Sequence, residues 1–156
     1  MIYGIGVDVV QLARIEQSYK RFGLHFAERL LMPAERAQFD QSKRPERFLA
    51  MRFAAKEAIV KALGTGFAHG LWLRDVGSVQ NKWGRPEVVF SPRGERVRRK
   101  LGAGEGHVTL TDEAGLIVAV AVLEAAAKTH GKPKAKRKPK SKPKPERKVN
   151  PKRVRR

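Results

Sequence analysis

The chain has 156 residues, with 34 Lys or Arg against 15 Asp or Glu, a formal charge of +19 and no cysteine. That length suits one domain with an appendage, and the missing thiols exclude a disulfide scaffold, a thiolate metal site and a cysteine nucleophile. The longest apolar run, 114–123, is about half of the roughly 20 residues a spanning helix needs, and no basic stretch precedes Asp8, so a cytoplasmic protein without anchor or secretory signal is expected.

Residues 2–10 read as a strand. Tyr3, Ile5, Val7 and Val9 share one face by the period of two, and Gly4, Gly6 and Asp8 share the other. Two residues without side chains in line with a carboxylate leave room for a close approach beside Asp8, by a ligand or by a packed helix. Residues 11–22 read as an amphipathic helix on Leu12, Ile15, Tyr19 and Phe22. Arg14 and Arg21, seven apart, share a side of it, which is either solvated surface or a dock for an acidic partner. Pro33 suits the first turn of a short helix through about Gln41, with Glu35 in that turn and Met32 a poor cap before it.

A longer helix is expected from about Arg47 to Leu63, stopped at Gly64. Its stripe of Ala55, Ala58, Ile59 and Ala62 is mostly alanine, so something packs close against it. Phe53, Glu57 and Lys61 form a second line at spacings of four. Glu57 and Lys61 could make an ordinary helix-stabilising pair. Alternatively, Asp8 and Glu57 supply two hard oxygen ligands for Mg²⁺, with Lys61 reaching an adjacent phosphate as a point charge. Such a site would neutralise charge on a breaking pyrophosphate.

After Gly70 the pattern turns to strands. Leu71, Leu73 and Val76–Val79 form one, Glu87–Phe90 another, with the 81–86 link as a turn. Ser91 caps and Pro92 opens a helix to about Leu101. Gly104-Glu105-Gly106 is read as a break, followed by a hairpin of His107–Thr111 and Leu116–Leu123. This order favours α+β, an antiparallel sheet packed with helices. From 126 onward the chain carries 15 Lys or Arg against the single acid Glu146, a net +14, with five prolines and only Val149 and Val154 as large aliphatics. Such a segment buries too little apolar surface to offset its ordering entropy. The expected division is a folded domain, 1–125, and a disordered basic Lys/Arg/Pro-rich tail, 126–156, which solubilises the chain or binds polyanions.

The segments Gly4–Ile15 and Phe53–Gly66 together resemble the holo-[acyl-carrier-protein] synthase family, the small bacterial type of 4′-phosphopantetheinyl transferase, and the likeness extends over residues 1–124. The resemblance implies that family's single-domain fold and its reaction. A serine hydroxyl of apo acyl carrier protein attacks the β-phosphate of coenzyme A, and 3′,5′-ADP leaves. It implies Asp8 and Glu57 as Mg²⁺ ligands, Glu57 as a group that orients or deprotonates the nucleophile, and Lys61 as a phosphate ligand that assists the leaving group. It places Arg44, Arg52, Phe53, Gly64, Gly66 and Pro86 near coenzyme A, with His107 as a substrate contact or a hydrogen-bonded strand histidine. Arg14 and Arg21 match a helix on which the carrier docks. A homotrimer with active sites between subunits, acting in fatty acid synthesis, completes the implied picture.

The later motif departs from the family. Where it usually reads His-Val-Ser-Ile-Ser-His, this chain has His107-Val-Thr-Leu-Thr-Asp112, so a carboxylate stands in place of an imidazole. Two other readings therefore stay open: a nucleic-acid-binding module that works through its tail, and a family member that has lost catalysis. A pure binder has no need of Asp8 beside two glycines or of Glu57 one turn before Lys61. His25, His69 and His130 have no metal-ligand spacing.

Overall fold

The computed structural model describes residues 1–127. The basic segment expected to be disordered lies outside the described residues from position 128 on. The chain runs β1 (Ile2–Gln11), α1 (Leu12–Phe22), α2 (Leu24–Leu30), α3 (Pro33–Phe39), α4 (Pro45–Leu63), β2 (Val76–Gln80), β3 (Pro86–Phe90), α5 (Pro92–Lys100), β4 (Ala103–Glu113) and β5 (Leu116–Ala125). The five strands form one antiparallel sheet in the order β1-β5-β4-β3-β2. The α+β expectation holds. No helix among the described residues is long and apolar enough to cross a membrane.

The alanine stripe of α4 is the spine of the fold. Ala55, Ala58, Ile59 and Ala62 are buried against the sheet. A Cβ placed on Gly4 would collide with the Ala62 carbonyl, and one on Gly6 with the Ala58 carbonyl. The space beside Asp8 is therefore filled by a helix, backbone against backbone. β5 closes the same layer with Ile117, Ala119, Ala121 and Leu123, all fully buried. α4 ends where the sequence indicates, on Gly64 with a left-handed φ of 75°.

Four details differ from the sequence expectation. A register shift between Ile2 and Gly4 takes Tyr3 off the alternating face, and Tyr3 is half-buried while Ile5, Val7 and Val9 stay exposed. Residues 24–30, for which no element is expected, form α2, with Ala27 and Leu30 buried at three-residue spacing. Leu73–Asp75 is a 3₁₀ turn rather than strand, because the Asp75 carboxylate accepts from the Trp72 N–H at 2.8 Å and closes the turn. Gly104–Gly106 does not break the chain: β4 runs through it with an irregular register against β5. Gly106 packs against Leu123 and Val88, so the glycine there admits neighbours instead of ending the strand.

α3 compensates for its weak cap from inside. Glu35 accepts from the Met32 N–H at 2.9 Å and from the Ser78 N–H at 3.0 Å. Its carboxylate also meets the Lys56 ammonium at 2.7 Å, and both side chains are fully buried. Lys56 donates further to the carbonyls of Leu73 and Val76, at 2.9 and 2.6 Å. Burial pushes the Lys56 pKa down, and the Glu35 charge works against that. The network ties α3, α4 and β2 into one body.

Candidate active site

The side chain of Asp8 emerges from β1 on the face that α4 covers, just beyond the two glycines. Glu57 comes from the adjoining turn of α4. The two line one cavity of about 390 Å³ together with Arg14, Ser18, Phe26 and Phe53. Two residues distant in sequence thus converge because β1 lies flat on α4. Glu57 has its pKa raised, first by burial and second by the Asp8 charge, with Lys61 opposing. A carboxylate that feels its neighbour in this way marks a place where added positive charge is favoured.

Lys61 does not form the ordinary pair with Glu57. Its ammonium donates to Asp8 Oδ1 at 2.7 Å and to the Val7 carbonyl at 3.2 Å. Half of the Lys61 side chain is exposed, against 12% for Asp8, so the charge stands at the mouth of the site. No cluster of three or more His, Cys, Asp or Glu residues occurs among the described residues. The donor set is therefore two carboxylates, all oxygen. That composition fits a hard divalent ion that keeps water or phosphate oxygens as its remaining ligands, and does not suit zinc or iron.

The remaining candidates fall into separate groups. Phe53 and Glu57 also border a larger cavity of about 720 Å³, walled by Phe67, Leu71, Trp72 and Arg29. Gly64 and Gly66 carry φ values of 75° and 57° in the turn after α4, and a Cβ on either would meet nothing within 4 Å. Their glycine requirement is conformational. Arg44 and Arg52 line a pocket of about 160 Å³ with Arg47 and Gln80, away from the carboxylates. Arg52 is only 2% exposed. It stacks 4.4 Å over Phe48, and its Nε is buried without a partner among the described residues. Pro86 and His107 border a third cavity of about 580 Å³, with Arg85, Glu95 and Arg98.

Strand register explains this separation. His107 pairs with Val122, and Asp8 with Ala119. Residues 118, 120 and 122 of β5 point away from α4, so His107 sits on the outer face of the sheet and Asp8 on the inner one. His107 Nε2 lies 2.9 Å from Glu124 Oε1 on that outer face. Asp112 points inward, and Arg47 donates to both of its oxygens at 2.7 and 2.6 Å. The carboxylate that replaces the family histidine is thus a strut between β4 and the start of α4, its pKa lowered by the Arg47 hydrogen bonds. Arg14 reaches the carboxylate cavity, while Arg21, one heptad further along α1, is exposed over the Phe22 ring at 4.9 Å.

Sequence reasoning missed Phe26, Arg29, Phe67 and Trp72, which border the two cavities that meet at Glu57. The spacing of Leu24, Ala27 and Leu30 was an available signal for the helix that carries the first two. The exposed Trp72 lies in irregular chain and has no periodicity to reveal it.

A two-carboxylate cleft with a lysine at its mouth, in a small α+β protein, is suited to holding a diphosphate through a divalent cation. The family model of the 4′-phosphopantetheinyl transferase superfamily matches residues 4–121, and the chain belongs to that superfamily. It is 41% identical over 124 residues to the holo-[acyl-carrier-protein] synthase of Neisseria meningitidis, covering 80% of this chain and 99% of the relative. The crystal structure of holo-[acyl-carrier-protein] synthase from N. meningitidis superposes with a TM-score of 0.75 at 40% identity, over 80% of this chain and 99% of that one. The Helicobacter pylori synthase, solved in complex with coenzyme A, matches with a TM-score of 0.67 at 30% identity, over 77% of this chain and 99% of the other.

Proposed function

We propose that the protein transfers 4′-phosphopantetheine from coenzyme A to a serine of apo acyl carrier protein, with Mg²⁺ as cofactor. The observation that carries this reading is the convergence of Asp8 and Glu57 on one cavity with Lys61 at its edge. Asp8 and Glu57 hold the cation. Bound there, Mg²⁺ supplies positive charge to the diphosphate and so lowers the cost of separating its two halves.

The chain's own residues do the rest. The serine oxygen forms a bond to the β-phosphorus while the bond from that phosphorus to the bridging oxygen breaks, and 3′,5′-ADP departs with that oxygen. Glu57 orients the serine hydroxyl and takes its proton, directly or through water. Lys61 moves from Asp8 to the phosphate oxygens as charge builds on the leaving group. Phe53 and the turn at Gly64 and Gly66 flank the coenzyme near the diphosphate. Arg44 and Arg52, with Pro86 and His107, contact its nucleotide end. Arg14 and Arg21 present positive charge to the acidic carrier, which raises encounter rate and selects partners.

We also infer a homotrimer with sites between subunits. Two observations support it. Ile5, Val7 and Val9 are 59, 49 and 57% exposed on the outer sheet face, beside half-buried Val118, Val120 and Val122, and a contiguous apolar face of this kind marks an interface. His107 and Asp8 occupy opposite sides of one sheet, so a second copy seated on the outer face is the simplest way to bring both kinds of residue to one substrate. A cytoplasmic setting in fatty acid synthesis follows from the carrier substrate. The basic segment 126–156 adds a polyanion contact, supported by its net +14. The test of the reaction is mass spectrometry of apo carrier protein after incubation with coenzyme A and Mg²⁺. A gain of one phosphopantetheine arm is expected; an unmodified carrier would overturn the reading.

A further inference from the structure

The tip of the β2–β3 hairpin is held by side chains as well as by backbone. The Asn81 N–H donates to the Arg85 carbonyl and the Gly84 N–H to the Asn81 carbonyl, each at 2.9 Å. The Asn81 side chain ties the loop from inside. Its Oδ1 accepts from the Trp83 N–H at 2.9 Å and from the Arg85 N–H at 3.2 Å, while its amide donates to Glu87 at 2.8 Å. Gly84 supplies the left-handed φ of 78° at the reversal. At the base of the hairpin, Gln38 of α3 exchanges two hydrogen bonds with the Gln80 backbone, at 2.7 and 3.0 Å.

This frame carries an indole into water. Trp83 is 80% exposed, so packing within the chain does not account for it. The Lys82 ammonium stands 4.9 Å from the centre of its ring, and Arg85 follows two residues on. An aromatic surface flanked by two cations matches a ligand that is both flat and anionic: the ring stacks, and the charges meet phosphate. A contact between copies of the chain fits less well, because lysine is depleted at the cores of such interfaces. Arg85 and Pro86 line the cavity of about 580 Å³ that also holds His107, so the indole stands at one edge of the nucleotide end of the site. The only aromatic group of coenzyme A is its adenine, which is joined to a phosphorylated ribose.

We propose that Trp83 is a specificity-determining residue whose indole stacks on the adenine of coenzyme A, with Lys82 and Arg85 turned to the nucleotide's phosphates. This rests on the reaction proposed above and on Pro86 and His107 meeting the nucleotide end, and it adds the group that recognises the base. Stacking there is remote from the phosphorus under attack. It therefore contributes binding that is equal in the ground and transition states, which lowers KM and leaves kcat alone. The loop is braced before the ligand arrives, so little ordering entropy opposes the contact.

The test uses the full chain and two readouts. The first is fluorescence. The chain has two tryptophans, and Trp72→Phe leaves Trp83 as its sole indole. Titration with 3′,5′-ADP should quench that indole saturably, and 4′-phosphopantetheine, which lacks the base, should not. The second is steady-state transfer to apo carrier protein. Trp83→Ala should raise KM for coenzyme A by about 5- to 150-fold, the range for losing one base–aromatic stack, with kcat within about twofold of wild type. Trp83→Phe keeps a ring and should recover most of the loss. The thermal midpoint and the particle mass should stay at their wild-type values in both variants. An unchanged KM in Trp83→Ala, or no quenching by 3′,5′-ADP, would remove the stack. Equal quenching by 4′-phosphopantetheine would place the wrong half of the coenzyme at the hairpin and overturn it as well. A smaller particle in light scattering would make Trp83 a contact between copies instead. Absence of transfer by the wild-type chain would sink the reaction itself, and the quenching readout still decides the stack.

Discussion

On one side of β1, Gly4 and Gly6 meet the backbone of α4; on the other, Ile5, Val7 and Val9 meet water. The same ten residues therefore make a close backbone contact on one side and an open apolar face on the other. The inner side is fixed by sterics within one chain, and it delivers Asp8 to Glu57. The outer side has no partner among the described residues and carries His107 and the apolar valines. The inner half of the site is a folding product, and the outer half is, on our reading, a product of assembly.

Breaking the inner half chemically should have the largest effect. Asp8→Ala or Glu57→Ala is expected to lower turnover by about 10³-fold or more, the several kcal/mol that a held cation supplies to a splitting diphosphate. Circular dichroism should show the fold intact, and near-wild-type turnover by either variant at saturating Mg²⁺ would remove that residue from the machinery. Breaking the inner body mechanically comes next. Glu35→Ala leaves the Lys56 ammonium buried without its counter-charge, and urea unfolding should show a loss of about 3–5 kcal/mol. Gly6→Ala drives a methyl into the Ala58 carbonyl and should cost about 1–3 kcal/mol, toward the upper end because backbone must move. The outer face behaves differently. Val7→Asp should leave the unfolding free energy of the single chain within about 0.5 kcal/mol, as for surface changes generally, while light scattering reports a smaller particle. An unchanged mass would show that copies do not meet there.

The inner half was also the more legible in sequence. Glycines at 4 and 6 and alanines at 55, 58 and 62 are complementary patterns, and each implied a close neighbour. Ser91-Pro92 and Gly64 gave helix ends by local chemistry alone, as the observed caps confirm. Long-range partners were not legible. Glu35 read as a first-turn acid, and nothing in its spacing revealed Lys56, since the pairing depends on how α3 lies on α4. Asp112 read as a lost imidazole, while its bidentate partner Arg47 sits 65 positions away. Gly104–Gly106 looked like a break because glycine marks both turns and strand irregularities, and only the neighbouring strands decide between them. Lys61 shows the same limit: helix spacing offered Glu57, and the fold gave it Asp8.

The placement of Asp8 and His107 on opposite faces has a genetic consequence. If His107 serves a neighbour's substrate, chains bearing Asp8→Ala and chains bearing His107→Ala are each deficient alone, yet co-assembled particles contain sites that draw an intact residue from each. Mixing the two variants under conditions that allow subunit exchange should restore part of the turnover, as intersubunit complementation, and a mixture no more active than its components would confine the substrate to a single chain.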